Sequence, residues 1–181
     1  MVNLGVSTNS GFNGLAAINL KEKKFGVSLL YTANGATNRT NGYFNTTNDS
    51  LGNTIGKTNQ NISSTFRRLF QVGRVGFDFY INNRNTLSIS QNAVFGNFNT
   101  DDNININGNR YGITSTGGQD NNQQNHFQNF TTDMSFKHTF PKEGKEYTLD
   151  IQYNHSQGGA NYLYTTQYFD PSGSIRQETP V

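Results

Sequence analysis

Apolar and polar residues alternate with a period of two in three separate parts of the chain. Each part is centred on a short turn that is rich in charge or asparagine, namely Lys21–Lys24, Asn82–Asn85 and Pro141–Glu146. This alternation is typical of a β-strand, where every second side chain lies on the same face. The sequence therefore predicts three antiparallel hairpins. They cover about residues 11–37, 61–99 and 125–157.

A hairpin is consistent only if the apolar residues of its two strands share one face, because opposed residues point to the same side. All three predicted hairpins meet this condition. In the proposed pairing, Leu20 faces Phe25, Ile81 faces Leu87, and Phe140 faces Tyr147. The opposite face is polar in each case, so each hairpin has one apolar face and one polar face.

Long polar stretches separate the hairpins. They comprise residues 33–60, residues 100–124 and the residues from 157 onwards. Their many Asn-Gly and Gly-Gly steps are turn signals, so we interpret these stretches as long loops. A further strand or loop hairpin is expected at about residues 161–176, with a turn at Asp170–Gly173. No apolar stripe of helical period persists, so the predicted fold is all-β, an antiparallel meander of six to seven long strands.

The alternation fits either a soluble β-sandwich or a transmembrane β-barrel, whose apolar face points outwards into lipid. Three long loops at the same end count against a sandwich, because structureless loops of more than about 15 residues are uncommon in compact domains. Aromatic residues flank the short turns, and Phe95 and Phe130 lie about ten residues further along. Ten tilted residues cross an apolar band of roughly 25 Å. The sequence therefore favours a partial transmembrane barrel with short periplasmic turns and long extracellular loops.

The composition is polar without being charged. Of the 181 residues, 32% are hydrophobic and 14% are charged, and the chain contains 28 asparagines. A net charge of +2 forms no basic patch, which argues against nucleic-acid binding. The chain has no cysteine and no apolar run long enough for a transmembrane helix, and its first residues do not have the pattern of a signal peptide.

Two sequence stretches carry a family resemblance. In the first, Gly76–Ser90, an aspartate-aromatic-aromatic run is followed by a short turn and "NTLS". In the second, Phe136–Tyr162, a glycine-containing acidic and basic turn precedes a "LDxxY" strand. Both resemble the outer-membrane β-barrel region of TonB-dependent receptor-like proteins of Gram-negative bacteria. The resemblance extends over roughly Gly11–Tyr168.

The resemblance implies residence in the cell outer membrane and contact with its lipid. It also implies uptake of a nutrient that is driven by the TonB system. The residues themselves carry no catalytic motif in a suitable context, so no enzymatic activity and no cofactor are expected. Barrels of this family have about 22 strands, so residues 1–181 are expected to be a fragment of one barrel domain. No plug domain and no TonB-contacting segment are recognised in the chain. The alternative is a soluble or surface-attached all-β adhesion or carbohydrate-binding module.

Five charged residues lie on the predicted polar face and would line the interior of a barrel. They are Arg74, Asp78, Asp133, Lys137 and Asp150. Paired or hydrated charges are the ordinary interpretation of such residues, with a contact to substrate as the alternative. No nucleophile, acid and base arrangement has a suitable context, so the sequence predicts no catalytic residues.

The sequence predicts no metal site. The three histidines, His126, His138 and His155, have no spacing that suits a metal ion. Asp101–Arg110 resembles a calcium loop in composition, but its glycine falls in the wrong register. A solvated loop is therefore the expected structure, with a loop that binds calcium as the alternative.

Overall fold

The computed structural model describes residues 1–8, 10–169, 172 and 175–180. The side chains of β8 lie outside this description. Nearly all described residues belong to eight strands. The strands are β1 (Val2–Ser7), β2 (Gly11–Lys21), β3 (Phe25–Ser50), β4 (Asn53–Asn82), β5 (Asn85–Arg110), β6 (Ile113–Thr139), β7 (Glu146–Phe169) and β8 (Ile175–Pro180).

The strands form one sheet in the order β1-β2-β3-β4-β5-β6-β7-β8, so each strand is hydrogen-bonded to its neighbours in sequence. The predicted all-β class and antiparallel meander are confirmed. Six strands are long, and β1 and β8 are short additions at the two ends of the order. No helix among the described residues is both long enough and apolar enough to cross a membrane.

The three predicted short turns join β2 to β3, β4 to β5, and β6 to β7. In the second turn, the amide side chain of Asn82 accepts hydrogen bonds from the backbone N–H of Arg84 and from the side chain of Asn85, both at 2.9 Å. An asparagine that bonds to its own turn is a common way of closing a tight connection. In the third turn, the N–H of Phe140 donates to the carbonyl of Lys145 at 2.9 Å.

The predicted pairing of the first hairpin is wrong by two residues. Leu20 pairs with Val27 and Ile18 pairs with Leu29, whereas the sequence analysis paired Leu20 with Phe25. A shift of two residues leaves every side chain on its predicted face, because the side-chain period of a strand is two. Alternation therefore defines the faces but leaves the register free to move in steps of two.

The prediction of long polar loops is wrong. The stretches at residues 33–60 and 100–124 are the continuations of β3, β4, β5 and β6, and β7 continues to Phe169. The connections are two-residue turns at Leu51–Gly52 and Tyr111–Gly112, in which all four residues have positive φ. This conformation is that of a type I′ hairpin turn. The predicted turn at Asp170–Gly173 lies almost entirely outside the described residues.

Contacts between residues divide the chain into two compact units. The first unit comprises Met1–Ala36, Arg68–Asn97 and His126–Gly159, and the second comprises Thr37–Arg67, Phe98–Asn125 and Ala160–Val181. The first unit contains the three short turns and the strands that flank them. The second contains the two-residue turns at Leu51–Gly52 and Tyr111–Gly112 together with the asparagine-rich strands beside them.

The first unit has an apolar face that nothing in the described chain covers. No hydrophobic side chain among the described residues is buried. Exposed fractions are 50% for Ile81, 45% for Phe77, 47% for Leu149 and 55% for Ile151. A soluble domain of this length normally buries such side chains in a core. The sheet instead leaves them exposed on one face, which we call the apolar face.

Candidate functional site

Polar side chains on the other face of the first unit bond to one another across neighbouring strands. Asp133 on β6 accepts a hydrogen bond from the side chain of Gln152 on β7 at 2.7 Å, and a longer one from Ser90 on β5 at 3.4 Å. The side chain of Asn154 donates to the hydroxyl of Thr131 at 2.7 Å. These contacts define a hydrogen-bonded polar face.

Two of the predicted interior charges have partners of their own on this face. Asp78 accepts a hydrogen bond from the hydroxyl of Ser88 at 2.6 Å. Lys137 forms an ion pair with Glu146 at 2.6 Å, in which both side chains are about half exposed. An exposed ion pair of this kind contributes at most about 1 kcal/mol to stability. Both contacts join adjacent strands and help to hold their side chains in fixed positions.

The other two predicted charges, Arg74 and Asp150, are exposed. Arg74 also borders an apolar groove of about 430 Å³, together with Gly73 and Val75. Within the described part of the chain, no two of the five predicted charges form an ion pair with each other. The structure therefore distributes these charges over the polar face and does not bring them together in one charged site.

The polar face carries a cluster of aromatic and aliphatic side chains that the sequence analysis missed. Phe70 on β4 contacts Phe127 on β6, with ring centroids 6.2 Å apart and ring planes inclined by 49°. Together with Val94 they line a cavity of about 560 Å³. The remaining lining comes from Gln128, Asn129, Ser156, Gln157 and Gly158. We call this cavity the aromatic pocket.

Gly96 makes room for the ring of Phe127. A Cβ atom at position 96 would lie 2.1 Å from Cε1 of Phe127, far inside van der Waals contact. A Cβ at Gly158 would lie 3.3 Å from Cβ of Phe127 and 2.9 Å from the carbonyl oxygen of His126. The ring therefore occupies space that a side chain on a neighbouring strand would otherwise fill. Phenylalanines at an even sequence spacing from residues of the polar face lie on that same face of the strand. This spacing is the sequence signal that could have revealed the pocket.

A separate polar cluster lies in the second unit. Arg67 on β4 forms an ion pair with Asp101 on β5, and the amide of Asn122 on β6 donates to the same carboxylate. Asp120 accepts a hydrogen bond from the side chain of Asn103 at 2.6 Å. These residues border a cavity of about 330 Å³. The segment Asp101–Arg110 is part of β5 and not the loop that was expected. Its side chains at Asp101, Asn103 and Asn109 bond to side chains on β4 and β6.

The histidines are not brought together with other metal-binding side chains. In the described residues, no group of three or more His, Cys, Asp or Glu side chains could hold a metal ion. Nδ1 of His138 lies 2.7 Å from the amide oxygen of Asn85, and its ring meets the edge of Phe140 at a centroid distance of 4.6 Å. This histidine thus links a short turn to the neighbouring strand.

Comparison with known proteins leaves the family open. No protein-family model matches the chain, and a search of curated proteins finds no significant match. The fold and the two contrasting faces of the first unit are therefore the basis on which a function can be argued.

Proposed function

We propose that this chain forms part of the wall of an outer-membrane β-barrel that takes up a nutrient. The observation that carries the proposal is the exposed apolar face of the first unit, combined with the hydrogen-bonded polar face opposite it. In water, such an apolar face would be a liability, because large exposed apolar patches favour association. In a bilayer the same face meets lipid, and the polar face lines a wet interior.

The position of aromatic residues supports a membrane location. Phe25 and Phe77 are stacked with their centroids 6.5 Å apart near the short turns. Phe95 and Phe130 meet edge to face at 5.6 Å. Phe95 lies ten residues after the start of β5 at Asn85, and Phe130 lies nine residues before the end of β6 at Thr139. Ten tilted residues correspond to roughly the 25 Å apolar band of an outer-membrane barrel, which aromatic girdles flank on both sides. Phe95 and Phe130 thus lie about one apolar band away from the short-turn ends of their strands.

The polar face supports a hydrated interior. Asp78, Asp133 and Gln152 hold hydrogen-bonded positions that would be costly in hydrocarbon, where an unpaired carboxylate loses its hydration. In the lumen of a barrel these groups remain in contact with water. Energy coupling through TonB, and the identity of the protein as a receptor, rest on the resemblance of Gly76–Ser90 and Phe136–Tyr162 to the receptor-like family.

The proposal can be tested by labelling neighbouring residues on opposite faces. The chain contains no cysteine, so a single cysteine gives one labelled site. We would place spin labels at Val75 and Leu149 on the apolar face and at Arg74 and Asp150 on the polar face. All four positions are exposed, so labelling should disturb the sheet little. The chain would be refolded into phospholipid vesicles, and label accessibility would be measured with oxygen and with a water-soluble nickel complex.

We expect Val75 and Leu149 to be accessible to oxygen and protected from nickel, and Arg74 and Asp150 to show the reverse. The reason is that oxygen concentrates in hydrocarbon, whereas the nickel complex stays in water. Two results would contradict the proposal. One is equal nickel accessibility at all four sites in the presence of vesicles. The other is a monomeric, cooperatively unfolding chain in water without detergent.

A further inference from the structure

The three short turns of the first unit concentrate positive charge. They contain six of the chain's 14 Lys and Arg residues, and all six are exposed. We call these cations the basic row; they are Lys21, Lys23, Lys24, Arg84, Lys142 and Lys145. The turns also contain three glutamates, of which Glu146 is already paired with Lys137. Positive charge is therefore in excess at these turns.

Backbone hydrogen bonds place the three turns side by side. The N–H of Tyr80 on β4 donates to the carbonyl of Lys24 in the first turn at 2.9 Å, and the N–H of Thr139 on β6 donates to the carbonyl of Arg84 in the second turn at 2.8 Å. Each of these two turns is thus bonded to the strand that leads into the next turn. Neighbouring strands lie about 4.8 Å apart, so successive turns are about 10 Å apart. The sequence analysis found no basic patch because it considered the net charge alone, whereas the fold brings the cations of three turns together.

The cations of the basic row are not neutralised by carboxylates. Among the described residues, none of the six forms an ion pair. Two of them lie over aromatic rings instead: Nζ of Lys21 is 5.2 Å from the ring centroid of Tyr80, and Nζ of Lys145 is 4.7 Å from that of Phe140. An aromatic face attracts a cation without cancelling its charge. The row therefore keeps its positive charge for an anionic partner.

The basic row borders the apolar face directly. Phe25 follows Lys24 in the chain, and Ile81 lies three residues before Arg84. The side chains of Phe25, Phe79 and Ile81 are 43%, 40% and 50% exposed. Long basic side chains at the end of an apolar surface reach towards the polar boundary of a bilayer, where lipid headgroups lie. A lipid whose acyl chains meet the apolar face would therefore hold its headgroup beside the basic row.

We propose that the basic row binds the headgroups of anionic phospholipids. Clusters of Lys and Arg beside a membrane attract anionic lipids, whereas a zwitterionic headgroup carries a cation of its own and gains less. A soluble acidic macromolecule would satisfy the charges but would leave the neighbouring apolar side chains uncovered. An anionic phospholipid satisfies both surfaces with one molecule. The inference rests on the proposed function and deepens it by naming the class of lipid that the short turns select.

The test uses the full chain refolded into phospholipid vesicles, with tryptophan as the reporter. The chain has no tryptophan, so one substitution gives a single emitting site. Phe79→Trp places it on the apolar face beside the basic row, and Tyr31→Trp places it on the same face, seven residues beyond Lys24. The two native side chains are 40% and 49% exposed, so the reporters are matched. Lipids with brominated acyl chains quench tryptophan on contact, and brominated phosphatidylglycerol would be compared with brominated phosphatidylcholine.

We expect both lipids to quench both reporters, because both reporters lie on the apolar face. At Phe79→Trp, phosphatidylglycerol should be preferred by at least about fivefold at low salt, since each basic residue near an anionic surface adds roughly this factor. The preference should fall at high ionic strength, where charges are screened. Tyr31→Trp should show little preference between the two lipids.

Charge-neutralising variants in the Phe79→Trp background locate the binding surface. One combined variant removes three cations of the basic row and should reduce the preference to below about twofold; its changes are Lys23→Gln, Lys24→Gln and Arg84→Gln. The matched control removes the same charge from the second unit and should keep the preference; its changes are Arg39→Gln, Lys57→Gln and Arg110→Gln. All six positions are exposed, so neither variant should prevent folding.

Three results would overturn the proposal: equal quenching by the two lipids at Phe79→Trp, a preference that survives neutralisation of the row, or an equal loss in the control variant. A preference that disappears when inorganic phosphate, polyglutamate or a DNA duplex is added at constant ionic strength would also overturn it. That result would assign the row to a soluble anion or to an acidic macromolecule.

The same measurement separates this proposal from the wall assignment. If both lipids quench both reporters equally, the apolar face still meets lipid and only the headgroup proposal fails. If neither lipid quenches either reporter, the wall assignment itself fails.

Discussion

At the scale of single residues, the close approach of Gly96 and Phe127 gives a direct test of packing on the polar face. We expect Gly96→Ala to lower the free energy of unfolding by about 1–3 kcal/mol, because the added Cβ would lie 2.1 Å from the ring. Gly73→Ala is the matched control, since a Cβ there meets nothing within 4 Å. The measurement is urea unfolding of the detergent-folded chain.

The same variant can be combined with a smaller residue at position 127. If the clash is the cause, adding Phe127→Leu should recover part of the loss, and the two changes should not be additive. Equal effects of Gly96→Ala and Gly73→Ala would show that the ring does not occupy the space above Gly96.

At the scale of strands and turns, the two connections that the sequence analysis missed contain an unusual residue. Leu51 has φ of 49° and is 99% exposed, and it precedes Gly52 with φ of 80°. A left-handed conformation is unfavourable for leucine, whereas asparagine tolerates it and Asn-Gly is the preferred type I′ pair. We therefore expect Leu51→Asn to raise the free energy of unfolding by about 0.5–1 kcal/mol. Urea unfolding would measure the change.

Gly52→Ala gives the opposite comparison in the same turn. Its positive φ disfavours any residue with a Cβ, so we expect a loss of about 1 kcal/mol. A Leu51→Asn variant that is no more stable than the native chain would mean that this turn does not limit the stability of the hairpin.

The strands also show how far the sequence could predict the structure. Alternation around Asn82–Asn85 and the other short turns correctly predicted where the short turns lie and which side chains share a face, but not the register of the first hairpin. It could not predict that β3 and β4 continue through the asparagine-rich stretches, because Asn-Gly steps are turn signals when a segment is considered alone. Pairing with a neighbouring strand supplies hydrogen bonds that override this local preference. The turn at Tyr111–Gly112 was missed as well, because the sequence analysis placed it inside one long loop at residues 100–124.

The candidate site was predicted only in part. The residues Asp78, Asp133 and Lys137 were expected on the polar face, and each has a partner there. The aromatic pocket was missed because its residues come from four different strands. Each strand contributes only a few of them, so no single segment of the sequence shows the pocket. Only the packing of Phe127 against Gly96 and Phe70 brings them together.

At the scale of the whole molecule, the described pairing of the sheet is incomplete along β7. Along Glu146–Gly159, β7 is bonded to β6 on one side, while its described pairing with β8 is confined to Thr165–Phe169. Unpaired backbone groups at an open edge are unfavourable in lipid, where each unsatisfied group costs several kcal/mol. The proposed membrane location would therefore require a further strand beside this part of β7.

The orientation of the two faces can also be tested by the stability of the molecule in a membrane. Ile89 and Ser90 are adjacent on β5, and they lie on the apolar and polar faces respectively; Ile89 is 39% exposed and Ser90 contacts Asp133. In phospholipid vesicles, we expect Ile89→Arg to destabilise the folded chain by about 2–4 kcal/mol, because a charge near the middle of the bilayer is unfavourable. Ser90→Arg places the same side chain on the wet face and should change stability by less than about 1 kcal/mol.

The folded fraction would be followed by the slower gel migration of the folded form and by urea titration. If both variants lost the same stability in vesicles, or if the order were reversed, the apolar face could not be the one that meets lipid.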